Sequence, residues 1–267
     1  TPTVDTVGTG GDGSGSLNLS TGAGLLAAAC GVRVVKHGNR SVSSKSGSAD
    51  MLECLGMPLP LHAPEAIACL EATNFTFLFA PAYHPAMKAV VPVRGAMGVR
   101  TVFNMLGPLT NPAGVRRQVL GVFSPELCQL LAEVLQELGS ERAMVLHSED
   151  GLDEISIAAP TQVSELRDGL VSSYRIQPGD FGLELQSLEG LTVESSAESA
   201  QLIRAALGGG GDERAQRRRL RLPARGGLLG PASPPRPPAR PRRGALRLRR
   251  RPLQIHGGRQ APLCHSG

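Results

Sequence analysis

Gly8-Thr9-Gly10-Gly11-Asp12-Gly13-Ser14-Gly15-Ser16-Leu17-Asn18 runs without a break into Leu19-Ser20-Thr21 and an apolar stretch. Five glycines, one acid and three hydroxyl side chains in eleven residues make a backbone that can pass close to an anion and adopt positive φ. Ser20 or Thr21 stands where it can cap a helix over residues 21–30, whose free N–H groups and dipole face the same anion. A short strand over residues 4–7 precedes the loop, so the order is strand, phosphate cradle, helix. Taken alone, a glycine-rich loop is equally compatible with an ordinary turn.

The next segment bears on that choice. Residues 32–35 read as a short buried strand that ends in Lys36-His37-Gly38-Asn39-Arg40-Ser41-Val42-Ser43-Ser44-Lys45-Ser46-Gly47-Ser48-Ala49-Asp50. Three cations and five serines therefore gather at a strand's carboxyl end, which is where open α/β sheets bind ligands. A solvated basic loop is the competing reading. Against it, a single helix separates the two loops, which places them side by side.

Further along, strands and helices continue to alternate. The pattern gives helices over 48–55 and 64–71, a strand over 75–79, and a helix over 85–97 broken at Pro92 and weakened by Gly95. A strand over 116–123 follows, then an amphipathic helix over 125–138 with Pro125 in its first turn and Gly139 as a stop. Strands are expected over 143–147, 155–158, 162–167 and 170–175, and a helix over 196–207. This order predicts an α/β fold with a mostly parallel central sheet flanked by helices.

The 267 residues carry a formal charge of +5, and that figure hides an asymmetry. Half of the 28 basic residues are the fourteen Arg of residues 215–267, a segment with no Lys and no acid, so the other fourteen face all 23 acids. In that tail 36 of 53 residues are Arg, Pro, Gly or Ala, a composition without a periodic apolar face that predicts disorder. All four types have codons made only of G and C, as out-of-frame reading of a GC-rich gene would produce. No stretch offers the roughly 20 apolar residues of a membrane span, and no leader opens the chain, which predicts a soluble, cytoplasmic protein. Cys30, Cys54, Cys69, Cys128 and Cys264 are scattered and odd in number. They argue against a disulfide framework or a zinc site and are expected mostly as small buried hydrophobes.

The motif series is long and ordered. GTGGDG at 8–13, NLST at 18–21 and KHGNRSVSSKSGSAD at 36–50 are followed by FAP at 79–81, HPAMK at 84–88 and PVR at 92–94. RTVFNMLGPLTNP at 100–112 and Asp153-Glu154 complete it. Over residues 4–213 the chain resembles the anthranilate phosphoribosyltransferases. Pyrimidine nucleoside phosphorylases share the glycine-loop architecture but lack a KHGNRSVSS run. A nucleic-acid-binding relative without catalysis is a third alternative, suggested only by the Arg-rich tail, which would contact phosphates with little selectivity.

The resemblance implies a nucleoside phosphorylase/phosphoribosyltransferase-like domain over 1–214. In it residues 85–107 are a remnant of a small helical domain whose leading helices are absent, and 215–267 form an aberrant tail. It also implies weak activity for the chain as it stands. The implied reaction moves phosphoribose from phosphoribosyl pyrophosphate to the amino group of anthranilate and releases pyrophosphate. Positions implied to hold phosphoribosyl pyrophosphate are Gly8, Gly11, Asp12, Ser16, Asn18, Leu19, Ser20, Thr21, Lys36, His37, Gly38, Asn39, Arg40, Ser41, Val42, Ser43, Ser44 and Ser48, with Lys36 as a point charge on a phosphate. Gly8, Asn39, His84 and Arg94 are implied to meet anthranilate, and an Arg fork suits its carboxylate. Ser20, Asp153 and Glu154 are the implied Mg²⁺ ligands, hard oxygen donors as that ion requires. No residue is assigned as a covalent catalyst. His37 and His84 are candidates for a base or for hydrogen-bonded structural roles, and Gly95-Ala96 departs from the charged pair expected there. A homodimer is implied for the intact family.

Overall fold

TVDTVG forms β1 (Thr3–Gly8) and RVVKHG forms β2 (Arg33–Gly38), parallel neighbours in which Val4, Val34 and Val35 are buried. The computed structural model describes residues 2–41, 45–89 and 102–208. The chain divides into two units, Thr1–Pro234 and Pro235–Gly267, and every described residue lies in the first. Between β1 and β2 runs α1 (Leu19–Ala29), and after β2 come α2 (Ser48–Cys54), α3 (Ala63–Thr73) and β3 (Phe75–Phe79). A short α4 (Ala80–Tyr83), a 3-10 turn (Pro85–Ala89) and α5 (Phe103–Leu109) lead to β4 (Arg117–Gly121). The remaining elements are α6 (Glu126–Glu137), β5 (Arg142–Ser148), β6 (Thr161–Arg167), β7 (Leu170–Ile176) and α7 (Ser196–Gly208).

The seven strands form one sheet in the order β3-β2-β1-β4-β5-β6-β7. The first five are parallel, and β6 and β7 close the edge antiparallel. From β1 the chain works outward to β3, then returns across to β4 on the other side of β1. That reversal is a topological switch point, the place where open α/β sheets form a crevice beyond the carboxyl ends of their strands.

Helices cover both faces, which is why the inner strands read as continuous apolar runs. Val34 packs with Ala27, Ala28, Leu52 and Phe77 on one face, while its neighbour Val35 packs with Leu61, Ala66 and Leu70 on the other. Beyond the switch point Leu120, Val145 and Leu166 meet Cys128, Leu131 and Leu135 of α6. Each such fully buried side chain contributes about 1.5–3 kcal/mol.

Three expectations are corrected here. Residues 155–158 form no strand: 155 and 156 are irregular, and 157 and 158 lie in a bend. Ser156 N–H donates to Thr161 Oγ1 (3.2 Å) and Ala158 N–H to Ser156 Oγ (2.9 Å), local side-chain bonds that compete with ladder formation. The first helix begins at Leu19, two residues before its expected start, so neither Ser20 nor Thr21 caps it with a side chain. Among the described cysteines Cys128 alone is buried; Cys30 and Cys54 are exposed and Cys69 is intermediate. Of the helix expected over 85–97 only the 3-10 turn is described. Residues 90–97, Cys264 and the tail from 215 lie outside the described residues. Among the described residues no helix is long and apolar enough to cross a membrane.

Candidate functional site

The site forms where β1 and β4 end side by side. Gly8 and Gly121 are the last residues of those strands and register partners, and both leave room for Asp153, in the loop between β5 and β6. A Cβ on Gly8 would lie 2.7 Å from Asp153 Oδ2, and one on Gly121 would lie 1.6 Å from the Asp153 carbonyl oxygen. Leaving β1, the glycine loop takes positive φ at Gly10, Gly11, Gly13 and Gly15. Its Gly10 N–H donates to Asp153 Oδ2 (3.0 Å). The chain then enters α1, where Ser20 N–H donates to Glu154 Oε1 (3.0 Å). The open amino end of α1 is thus capped by a carboxylate 134 residues away, placed where the helix dipole favours negative charge.

Lys36 lies beneath this arrangement. Its ammonium is fully buried and donates to the Thr6 carbonyl and to Ser20 Oγ (3.2 Å). Burial pushes its pKa down, while Asp5, Glu154 and Asp153 work to hold the charge. Burial raises Asp153, with the charge of Asp12 adding to it; burial raises Glu154, with Asp153 adding to it. Asp12 accepts Ser14 N–H at Oδ1 (3.3 Å), while its Oδ2 is buried without a hydrogen-bond partner among the described residues. The crevice therefore gathers the carboxyl groups of Asp12, Asp153 and Glu154, hard oxygen donors that interact with one another, with one buried oxygen unpaired among the described residues. This donor set fits Mg²⁺. Among the described residues no three His, Cys, Asp or Glu converge closely enough to hold a metal unaided, which suits an ion that keeps waters and binds through one or two carboxylates plus phosphate oxygens.

Other expected site residues divide between ligand-facing positions and scaffold. Leu19 is buried with Met51, Val193 and Ile203, and Thr21 is fully buried with its Oγ1 unpaired among the described residues. Ser16 bridges to Thr192 across a single antiparallel pair. In the second loop the exposed Arg40 pairs with Glu53 (2.7 Å) and Asp50 (2.9 Å) of α2 and lies 5.5 Å from the centre of the Phe79 ring. Ser41 N–H donates to Asp50 Oδ2 (3.0 Å), and Ser48 Oγ donates to the Asn39 carbonyl (3.1 Å) beyond Gly38. Val42, Ser43, Ser44 and Arg94 lie outside the described residues.

His37 and His84 come together edge to face with ring centroids 5.1 Å apart, and the Nε2 atom of each is buried without a hydrogen-bond partner among the described residues. Burial, followed by the neighbouring His84, pushes the His37 pKa down to about 4, so His37 is neutral at pH 7. Its backbone N–H donates to Asp5 Oδ1 (3.3 Å), and Asn111 Nδ2 donates to Asp5 Oδ2 (2.8 Å). Burial raises Asp5 to about 6 in spite of Lys36.

Sequence reasoning missed what ties the two loops together. Asn18 bonds both Ser46 of the second loop and Ser199 of α7. Leu17 N–H donates to the Leu191 carbonyl (2.9 Å), Val193 N–H to the Gly15 carbonyl (3.0 Å), and Lys45 pairs with Glu194. Separations of this size leave no local pattern.

Residues 1–224 match the model described as glycosyl transferase family, a/b domain. The chain is 58% identical over 205 residues to anthranilate phosphoribosyltransferases of Ectopseudomonas mendocina and Azotobacter vinelandii, covering 77% of this chain and 59% of each relative. It therefore spans about three fifths of the length of these curated relatives. The structure is similar to that of anthranilate phosphoribosyltransferase from Thermus thermophilus, with TM-score 0.73 and 48% identity over 80% of this chain and 64% of that one. It is also similar to the Saccharomyces cerevisiae enzyme in complex with PRPP and Mg, with TM-score 0.69 and 32% identity over 76% and 56% of the two chains. These likenesses weigh against the nucleoside phosphorylase and nucleic-acid-binding alternatives.

Proposed function

Because the chain belongs to the glycosyl transferase family through its α/β domain, we propose that it transfers phosphoribose from phosphoribosyl pyrophosphate to the amino group of anthranilate. A C–N bond forms at the anomeric carbon as the C–O bond to pyrophosphate breaks, and the amine gives up a proton. Positive charge grows on the ribose and negative charge on the leaving group, so the reaction needs charge neutralisation and positioning more than a covalent nucleophile. The observation that carries this reading is the meeting of Asp153 with the glycine loop and of Glu154 with the amino end of α1.

In this reading Gly8, Gly11, Asp12, Ser16, Asn18, Leu19, Ser20, Thr21, the run from Lys36 to Ser44, and Ser48 form the site for phosphoribosyl pyrophosphate. Lys36 acts from below by orienting Ser20 and balancing the two acids. Ser20, Asp153 and Glu154 would hold Mg²⁺, which neutralises charge on the departing pyrophosphate. Asn39, His84 and Arg94 receive anthranilate, with Arg94 reading the carboxylate. His37, neutral and buried, helps exclude water from the reacting centre. The assignment extends to a cytoplasmic homodimer, to residues 85–107 as part of a small domain, and to an Arg-rich tail that touches nucleic acid only through phosphates.

Calorimetric titration with phosphoribosyl pyrophosphate, with and without Mg²⁺, tests the reading. Glu154→Gln keeps an oxygen to accept Ser20 N–H but removes the charge. It is expected to weaken Mg²⁺-dependent binding at least about tenfold, the equivalent of about 1.4 kcal/mol. Equal binding with and without the metal, or indifference to the substitution, would refute the proposal.

A further inference from the structure

Asn18 ends the glycine loop, and its hydrogen-bonding capacity is nearly all committed inside the protein. Its backbone N–H donates to Ser199 Oγ (3.0 Å), and Ser199 Oγ donates back to Asn18 Oδ1 (2.9 Å). Ser46 Oγ donates to the same Oδ1, while Asn18 Nδ2 donates to the Ser46 carbonyl (3.0 Å). An amide offers two acceptor sites and two N–H donors. Both acceptor sites and one N–H are used, so the second Nδ2 hydrogen is what the side chain retains for a ligand. The Ser46 carbonyl, which can only accept, fixes which end of the amide is nitrogen, an assignment that follows from the bonding network.

Ser199 sits in the first turn of α7, fully buried and 181 residues from Asn18. Its helix is held against the loop by packing, for Ala200 and Ile203 share a cluster with Leu17, Leu19 and Val193. A Cβ on Gly22 of α1 would lie 2.5 Å from Ile203 Cδ1, so the two helices approach closely. The hydroxyl is thus delivered by an element that carries none of the expected site residues.

We propose that Ser199 is a positioning residue of the phosphoribosyl pyrophosphate site, acting through Asn18 so that the remaining amide N–H points to a pyrophosphate oxygen. This rests on the function proposed above. Without the hydroxyl, the Asn18 backbone N–H is released and Oδ1 keeps one donor. The amide is then held by Ser46 alone, its orientation loosens, and binding weakens although no ligand contact has been deleted.

The test is calorimetric titration of the full chain with phosphoribosyl pyrophosphate and Mg²⁺, beside thermal denaturation. Ser199→Ala suits the helix and is expected to raise Kd about tenfold. Asn18→Ala should raise it at least as far, and the double variant no further than Asn18→Ala alone. Ile203→Val, which loosens the packing of α7 without touching Asn18, should lower Tm and leave Kd unchanged. If Ser199→Ala does not fold, Ser46→Ala removes the other hydroxyl from Oδ1 and carries the same expectation of non-additivity. Additive losses, or a Ser199→Ala chain that binds as tightly as the unsubstituted one, overturn the assignment. An unsubstituted chain that binds no phosphoribosyl pyrophosphate overturns the proposed function, and this inference with it.

Discussion

The two loops on either side of α1 are both built from small polar residues, yet they are held in different ways. Backbone bonds tie the glycine loop down at Thr9 to Gly121 (2.9 Å), at Leu17 to Leu191 and at Gly15 to Val193. Side chains tie the second loop, through Arg40 with Asp50 and Glu53, Lys45 with Glu194, and Ser48 with Asn39. Backbone bonds depend on steric fit, whereas exposed ion pairs are weak and screened by salt. The described contacts of the first loop thus rest mainly on steric fit, and those of the second mainly on exposed charges.

The steepest way to break the contrast is Gly121→Ala. Its Cβ would stand 1.6 Å from the Asp153 carbonyl oxygen, a conflict between backbones that no rotamer relieves. The expected loss exceeds about 4 kcal/mol in urea denaturation; a loss within about 1 kcal/mol would mean that the cradle tolerates a shift of its frame.

Acid probes the root of the second loop. His37 is buried with a pKa lowered from 6.5 to about 4, so between those values the unfolded chain binds a proton that the folded chain refuses. Its contribution is therefore complete above pH 6.5 and is lost as pH falls toward 4, by up to about 3 kcal/mol. Asp5, raised from 3.8 to about 6, runs the other way, because the folded chain takes up its proton first. Comparing His37→Asn with the unsubstituted chain isolates the histidine. The stability difference between the two should shrink as pH is lowered from 6.5 to 4, and a constant difference would place His37 in a solvated environment.

The smallest effect is expected from Arg40→Ala. Nearly half of its side chain is exposed, so the loss should be about 0.2–1 kcal/mol and should fade in molar salt. A larger, salt-independent loss would mean that the second loop is as rigidly built as the first.

Much of this architecture is legible in the sequence because its signals are local. Apolar runs mark the inner strands, Pro125 and Gly139 bracket α6, and the glycines betray a loop that passes close to something. The acid pair Asp153-Glu154 stands out by its motif, but its contact with the helix end does not, because the partners are joined only by the order of strands in the sheet. Residues 155–158 misled because Ile155 and Ile157 alternate with smaller residues as a strand would, while Ser156 and Thr161 spend their hydroxyls on local turns. Ser199 was illegible for a different reason: a serine in a helix carries no mark of what lies across from it.

The bonds from residues 191, 193 and 199 to the glycine loop also bear on the order in which the protein comes into being. A ribosome makes the cradle before the segment that fixes its shape, which emerges only after the seven described strands have been made. Closing a loop of this length costs entropy that grows only slowly with its span, and the assembled sheet shortens the remaining search. The cradle is thus completed by residues made long after it, and a nascent chain that displays residues 8–18 without residues 191–199 still lacks these bonds.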